Sequence, residues 1–226
     1  MKVSVIIPTI KRPTLKEAVE SVKNQTFKDF ELIIIEDKKH QGIAKTLNAG
    51  TRKAKGKYIA ILADDDSWIS KDKLERQVEF LDKHKDYILV GTSSIEVDKT
   101  GKEIARFNSN CFMSAFPPHS SVLYRKEAGE YSEDLKRAID LDFFLRIRKL
   151  GKFGFMPDCF IKYREDSDTK NVVKKRQEDS FWCLKVFLRH KVWKEYPKAV
   201  IRYLVFSLLK VFPEPYYLYR KIRYEK

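Results

Sequence analysis

The sequence predicts an α/β fold with a mixed sheet and a basic helical tail at its C-terminal end. Three observations carry this. Apolar β-type runs alternate with helix-type segments as far as His84, and the texture then changes to short strands around a turn. Finally, residues 181–226 interleave aromatic side chains with Lys and Arg.

Each element has its own signal. KVSVII is β-branched and opens the chain as a strand, and TLKEAVESVKNQ puts Leu15, Ala18, Val19 and Val22 on one helical face. FELIIIED is short and rich in Ile, so it reads as a second strand and completes a βαβ unit. GIAKTLNAGTRKAKG is a second helix, closed at Gly56, and KYIAILA is the third strand. Strands apolar on every side chain suit a parallel sheet covered on both faces, and such sheets bind ligands at the carboxyl ends of their strands. Asp37 and the run Asp64 to Asp66 fall at two of those ends. SKDKLERQVEFLDKH is a third helix, and YILVGTSSIEVDKTGKEIARF reads as two short strands around a Lys99-Thr100-Gly101 turn. In RAIDLDFFLRIRKLG the apolar spacing is again helical, with Asp140 at or near the first turn. The expected organisation is one α/β domain over 1–180 followed by a tail over 181–226.

Composition narrows the function. The 226 residues are 43% hydrophobic, enough for a full core. Cys111, Cys159 and Cys183 are far apart with no CxxC spacing, which argues against a disulfide framework or a zinc site and for a reducing compartment. The N-terminal apolar run breaks at Pro8, too short for a signal-peptide core, so a cytoplasmic location is expected. The net charge of +14 calls for an anionic partner, and the tail alone holds eleven Lys or Arg against three Glu.

The run Asp64-Asp65-Asp66 needs an explanation outside local propensity, because adjacent carboxylates repel and Asp is poor in strands and helices. One of the three can cap a helix. A cluster of hard oxygen ligands at a strand end also suits Mg²⁺ or Mn²⁺, held by one or two carboxylates and completed by phosphate and water.

With these blocks the chain resembles the family-2 glycosyltransferases. VSVIIPTIKRPTLKEAVESVKNQTFKDFELIIIED, LNAGTRKAKGKYIAILADDDSWIS, HSSVLYRKE and DLDFFLRIRKLGKFG stand in that family's order and approximate spacing, over about residues 2–165. The resemblance implies a GT-A fold, a Rossmann-like nucleotide-sugar-binding domain. It also implies inverting transfer of a sugar from a nucleotide-diphosphate sugar to a hydroxyl, with a divalent metal, Mn²⁺ or Mg²⁺, on the diphosphate. It puts Pro8, Thr9, Ile10 and Arg12 beside the nucleotide, Asp37 on the base or ribose, and Lys45 and Asn48 on the nucleotide side. Relatives read Asp-x-Asp-Asp-x-Trp where this chain has Ala63 at the first Asp, so Asp64 is assigned to the nucleotide and Asp65 and Asp66 to the metal. Which of the three holds the cation is left open, with Asp65 favoured.

Asp140 matches the base that deprotonates the acceptor, although Ile139 stands where relatives have Glu. His119, Trp68 and Asp142 are implied in the acceptor site, and Arg164 at phosphate. Relatives carry Tyr-Arg-x-His at the last strand, whereas Asp166 stands here in place of the His. The implied partners are a nucleotide-sugar donor, with UDP-sugars favoured, and a glycan or lipid-linked acceptor.

The tail's longest uncharged run, Tyr203 to Leu209, is too short to span a bilayer. Basic helices with Trp182, Trp193, Tyr216, Tyr217 and Tyr219 suit an anionic membrane surface, peripheral on the inner face of the cell membrane. The competing use of those helices is packing on the body or a homodimer. Two other function classes are weighed. A nucleotidyltransferase would need a Gly-rich triphosphate loop, for which PTIKRPT is a poor match, and a nucleic-acid-binding protein would show steep salt dependence and no sugar-nucleotide turnover.

Overall fold

The computed structural model describes residues 1–98, 100–107, 116–164, 169–212 and 214–216. Eight strands form one mixed sheet: β1 (Val3–Thr9), β2 (Phe30–Glu36), β3 (Tyr58–Ile61), β4 (Ser67–Trp68), β5 (Tyr87–Val97), β6 (Glu103–Phe107), β7 (Leu123–Arg125) and β8 (Lys152–Arg164). The order is β2-β1-β3-β7-β5-β8-β4, with β6 paired to β5. The helices are α1 (Leu15–Lys23), α2 (Ile43–Lys53), α3 (Lys73–Lys83), α4 (Ile139–Ile147), α5 (Thr169–Arg189) and α6 (Tyr196–Val211).

β1 runs parallel to β2 and to β3, so the chain leaves all three at the same edge of the sheet. That edge holds Thr9, Asp37 and the Asp run. The period-2 alternation of the strands sorts their side chains into two cores. Val5, Ile7, Tyr58 and Ala60 pack with residues of α1 and α3, while Ile6, Ile59 and Ile61 pack with residues of α2, α4 and α5. β1 and β3 are buried along their whole length. β2 is an edge strand, and its Ile34 is 45% exposed, so all-apolar sequence did not mean cover on both faces.

Two expected boundaries move for physical reasons. α2 ends at Lys53, and Gly56 serves a different purpose: a Cβ there would lie 2.5 Å from the backbone nitrogen of Ser4. β5 is a strand of eleven residues because it is flanked by β7 and β8 and also pairs β6. The turn after it is held by Asp98, whose carboxylate accepts from the backbone nitrogens of Thr100 and Lys102, with Gly101 at φ 87°; Lys99 lies outside the described residues.

The boundary expected at residue 180 lies inside α5, which continues unbroken to Arg189. Val186 and Phe187 beyond that position, and Ala199 of α6, belong to the same core as α2 and α4.

Candidate active site

The edge where β1 and β3 end opens into a cleft of about 490 Å³. The three Asp residues take different places around it. Asp64 is 1% exposed and fully engaged: its carboxylate accepts from Thr9 Oγ1 at 2.6 Å and from the Ile10 backbone nitrogen at 3.2 Å, and it pairs with Arg12. Thr14 Oγ1 donates to its carbonyl at 2.7 Å. Asp64 therefore clamps the loop after β1, and Thr9 and Arg12 are its partners.

Asp65 points into the cleft with its side chain 37% exposed, its nearest cation being Arg12 Nε at 3.8 Å. Asp66 lies behind it, buried, accepting from Ser120 Oγ and from the Arg164 backbone nitrogen at 3.3 Å. Burial, then the charge of Asp65, push the Asp66 carboxyl up to about 7. Two adjacent carboxylates with so little positive charge against them fit a hard divalent cation. Among the described residues no three His, Cys, Asp or Glu groups gather, so Asp65 and Asp66 would hold such an ion with donor phosphate and water completing it.

Asp140, in the first turn of α4, lines the same cleft. The residue before this helix, Ala138, has φ 53°, a left-handed conformation that costs a non-glycine residue about 1 kcal/mol. His119 lines the same wall, its Nε2 2.8 Å from Tyr131 Oη, and burial holds its imidazole below the ordinary value although the charge of Asp140 works the other way. Cys183 of α5 is also on the wall, its thiol pushed up to about 12 by burial and by Asp140, which disfavours the thiolate. The wall is completed from the C-terminal helices by Lys175, Arg176 and Arg202.

Most of the remaining expected residues sit elsewhere. Pro8 lines the main cleft, whereas Asp37 and Lys45 line a separate pocket of about 360 Å³ between the end of β2 and α2. Asp37 caps that loop by accepting from the backbone nitrogens of Gln41 at 2.8 Å and Gly42 at 3.0 Å. Ile10 is exposed at the rim. Asn48, expected on the nucleotide side, is 1% exposed and ties α2 to the segment before α4: its amide donates to the Tyr131 carbonyl at 3.0 Å and to Glu133 at 2.9 Å, and its Oδ1 accepts from the Tyr131 backbone nitrogen.

Trp68, expected in the acceptor site, is buried, with Nε1 donating to the Ser120 carbonyl at 3.1 Å. Asp142, also expected there, is buried and faces α5. It accepts from Ser132 Oγ at 2.6 Å and meets Arg189 and His190. The Arg164 side chain, expected at phosphate, pairs with Glu17 of α1. Asp166 lies outside the described residues.

Sequence reasoning gave Ser120 no role of its own within the HSS block and missed Glu17. Ser120 orients Asp66 and also accepts from the Ala63 backbone nitrogen, and Glu17 gathers Ser67, Lys162 and Arg164. The first Ser of the HSS block carried no signal of its contact with Asp66, and Glu17 looked like an ordinary first-turn carboxylate. The cleft wall from α5 and α6 was missed because the tail was read as a separate unit.

The mixed sheet, with its parallel strand ends and the first turn of α4 around one cleft, has the architecture of the GT-A class of glycosyltransferase. The Glycosyl transferase family 2 profile matches residues 4–40 and 34–171, and the chain belongs to that family. It is 28% identical over 262 residues to the uncharacterized glycosyltransferase MJ1057 of Methanocaldococcus jannaschii, covering 93% of this chain and 90% of that protein. It is 28% identical over 170 residues to the amylovoran biosynthesis glycosyltransferase AmsE of Erwinia amylovora, covering 70% and 63%. A Rickettsia bellii glycosyltransferase is 36% identical over 141 residues, but the chain spans only 20% of its length.

Two solved structures share the fold. The mannosyltransferase PcManGT of Pyrobaculum calidifontis, in complex with GDP-Man and Mn²⁺, superposes with TM-score 0.66 at 16% identity, covering 97% of this chain and 72% of that one. TarS 1-349 of S. aureus, in complex with UDP-GlcNAc, gives 0.63 at 16% identity, covering 91% and 73%. The family assignment selects sugar transfer over the nucleotidyltransferase and nucleic-acid readings.

Proposed function

We propose that this glycosyltransferase is an inverting enzyme that moves a sugar from a nucleotide-diphosphate sugar to a hydroxyl of a glycan or lipid-linked acceptor, with Asp140 as general base. The observation that supports it most is that Asp65 and Asp140 line one and the same cleft. In an inverting step the acceptor oxygen bonds to the anomeric carbon on the face opposite the leaving diphosphate. The bond from that carbon to the diphosphate breaks, and the diphosphate leaves with the electron pair. The acceptor proton passes to the Asp140 carboxylate. Asp65 and Asp66 would hold a Mn²⁺ or Mg²⁺, which would supply positive charge to the departing diphosphate. Asp64, Thr9 and Arg12 keep the loop after β1 in place beside the donor. Asp37 and Lys45 line a polar pocket next to α2 that suits the nucleoside end.

The neighbour structures hold UDP-GlcNAc and GDP-Man, so both nucleotides belong in the screen. No helix among the described residues is long and apolar enough to cross a membrane. The basic C-terminal region supports a peripheral position on the inner face of the cell membrane.

Thermal-shift screening of UDP-, GDP-, dTDP- and CMP-sugars with Mn²⁺ tests the donor assignment, because a ligand that binds only the folded state raises its apparent stability. One nucleotide class is expected to raise Tm, and to do so less in EDTA. A chain whose Tm is unmoved by all four would overturn the reading.

A further inference from the structure

α6 carries two faces of different character. Ala199, Tyr203 and Ser207, four residues apart, turn inward: Ala199 is buried, the Tyr203 ring lies 6.0 Å from that of Phe181 in α5, and Ser207 Oγ accepts from Gln177 at 2.9 Å. The other face presents Ile201, Leu204, Val205, Leu208, Val211 and Phe212, each between 47% and 68% exposed. Their spacing is that of a continuous helical stripe, larger and more regular than scattered surface apolar residues require.

The charges of this helix select what covers the stripe. Lys198 and Lys210 are exposed on α6, Arg202 turns to the cleft, and no Asp or Glu lies on the helix, Glu195 at its N-cap pairing with Lys198. Trp193, 61% exposed, stands at the turn into α6 between Lys191 and Lys194. A second copy of α6 laid against this face would bring like charges together in a protein that already carries +14. An anionic lipid surface accepts the apolar stripe into its acyl boundary and the flanking cations at its headgroups. At sixteen residues the helix is about 24 Å long, short of the hydrocarbon thickness, so it lies in the plane.

We infer that the face of α6 formed by Ile201, Leu204, Val205, Leu208, Val211 and Phe212 docks in the interface of an anionic membrane. This rests on the reading that the C-terminal region meets such a membrane and names the surface that does so. The docked helix also contributes Arg202 to the wall of the cleft, so the membrane contact and the acceptor side share one element.

Flotation of the full chain with vesicles of phosphatidylglycerol and phosphatidylcholine tests this, with pure phosphatidylcholine vesicles as the comparison. The wild type is expected to float with the anionic vesicles, less so at raised salt, and with a blue shift of tryptophan emission. Leu204→Glu/Leu208→Glu changes two exposed positions and should lower the partition coefficient at least about tenfold. The control pair Leu204→Met/Leu208→Met should keep it. The donor-induced thermal shift checks folding and is expected to be the same in all three proteins. Loss of that shift in the wild type would count against the sugar-transfer reading and leave the docking result standing. Equal flotation of the Glu variant would overturn the proposal. So would a wild type that stays in the aqueous fraction but forms a dimer that the Glu variant breaks, since the stripe would then be a contact between copies.

Discussion

His190 Nε2 lies 2.8 Å from a carboxylate oxygen of Asp142, fastening the end of α5 to the first turn of the helix that carries Asp140. Arg189 Nη1 reaches the same oxygen at 3.3 Å and Ser132 donates to the other at 2.6 Å. Burial alone would raise the Asp142 carboxyl, but these partners outweigh it and hold the group below its ordinary value. A depressed carboxylate stabilises the fold fully above its unfolded value of about 3.9, and that contribution is lost as pH falls through the folded value. Asp142→Asn should therefore lose about 1–3 kcal/mol at pH 7, with the gap to wild type closing below about pH 4. Thermal melts from pH 3 to 7 measure this; a gap independent of pH would show that the charge contributes nothing.

The carboxylate that faces the cleft should matter to turnover and little to the fold. Asp65→Ala is expected to remove most nucleotide-sugar turnover while moving Tm by no more than a surface change does, within about 0.5 kcal/mol. EDTA should do the same to the wild type, and Mn²⁺ or Mg²⁺ should restore it. Full turnover in EDTA would remove the cation from the mechanism.

Asp140→Asn keeps the size of the side chain and one acceptor oxygen but removes the base. Transfer should fall by about 10² to 10⁴ while donor affinity hardly changes. Asp142→Asn, measured beside it, should be milder in transfer and worse in stability. The opposite pattern would make Asp142 the base.

Lys73 is fully buried above the Trp68 ring, at 4.1 Å, with Gln77 Oε1 as its hydrogen-bond partner at 2.7 Å. Burial lowers its ammonium well below the ordinary value. Between that lowered value and about 10.4 the unfolded chain binds a proton the folded chain does not, so stability falls as pH drops through this window. Lys73→Met, of similar volume, should stabilise the protein by about 1 kcal/mol at pH 7.5 and by less near pH 10. Melts at the two pH values decide it, and a destabilised variant at pH 7.5 would show that the Gln77 bond outweighs the charge.

The strands and the helices before β5 were legible because their patterns are local: a period of two, or an apolar stripe of helical spacing, identifies an element without knowing its neighbours. The ends of β1 and β3 followed, and with them the position of the Asp run. What could not be read was which way a side chain turns once distant segments meet. Asp64 and Asp65 are adjacent and chemically identical, and only the reach of Arg12 and Thr9 from another strand end makes one a clamp and leaves the other open. Asn48 and Asp142 looked like cleft residues, yet contacts with Tyr131 and with His190, far along the chain, bury both. α5 was divided at residue 180 because its sequence turns more aromatic there, whereas its backbone continues and its buried Val186 and Phe187 belong to the same core as α2.

That continuity bears on engineering by exchange. A chimera that takes residues 169–211 from a relative inherits, in one stretch, part of the cleft wall, the fastening of α4 and the outward apolar face. None of the three can be transplanted alone by cutting at the apparent change in composition. A cut there also strips Val186, Phe187 and Ala199 from the core. The natural splice point is ahead of α5, and a graft made at that position exchanges cleft wall, α4 fastening and outward apolar face as a single cassette.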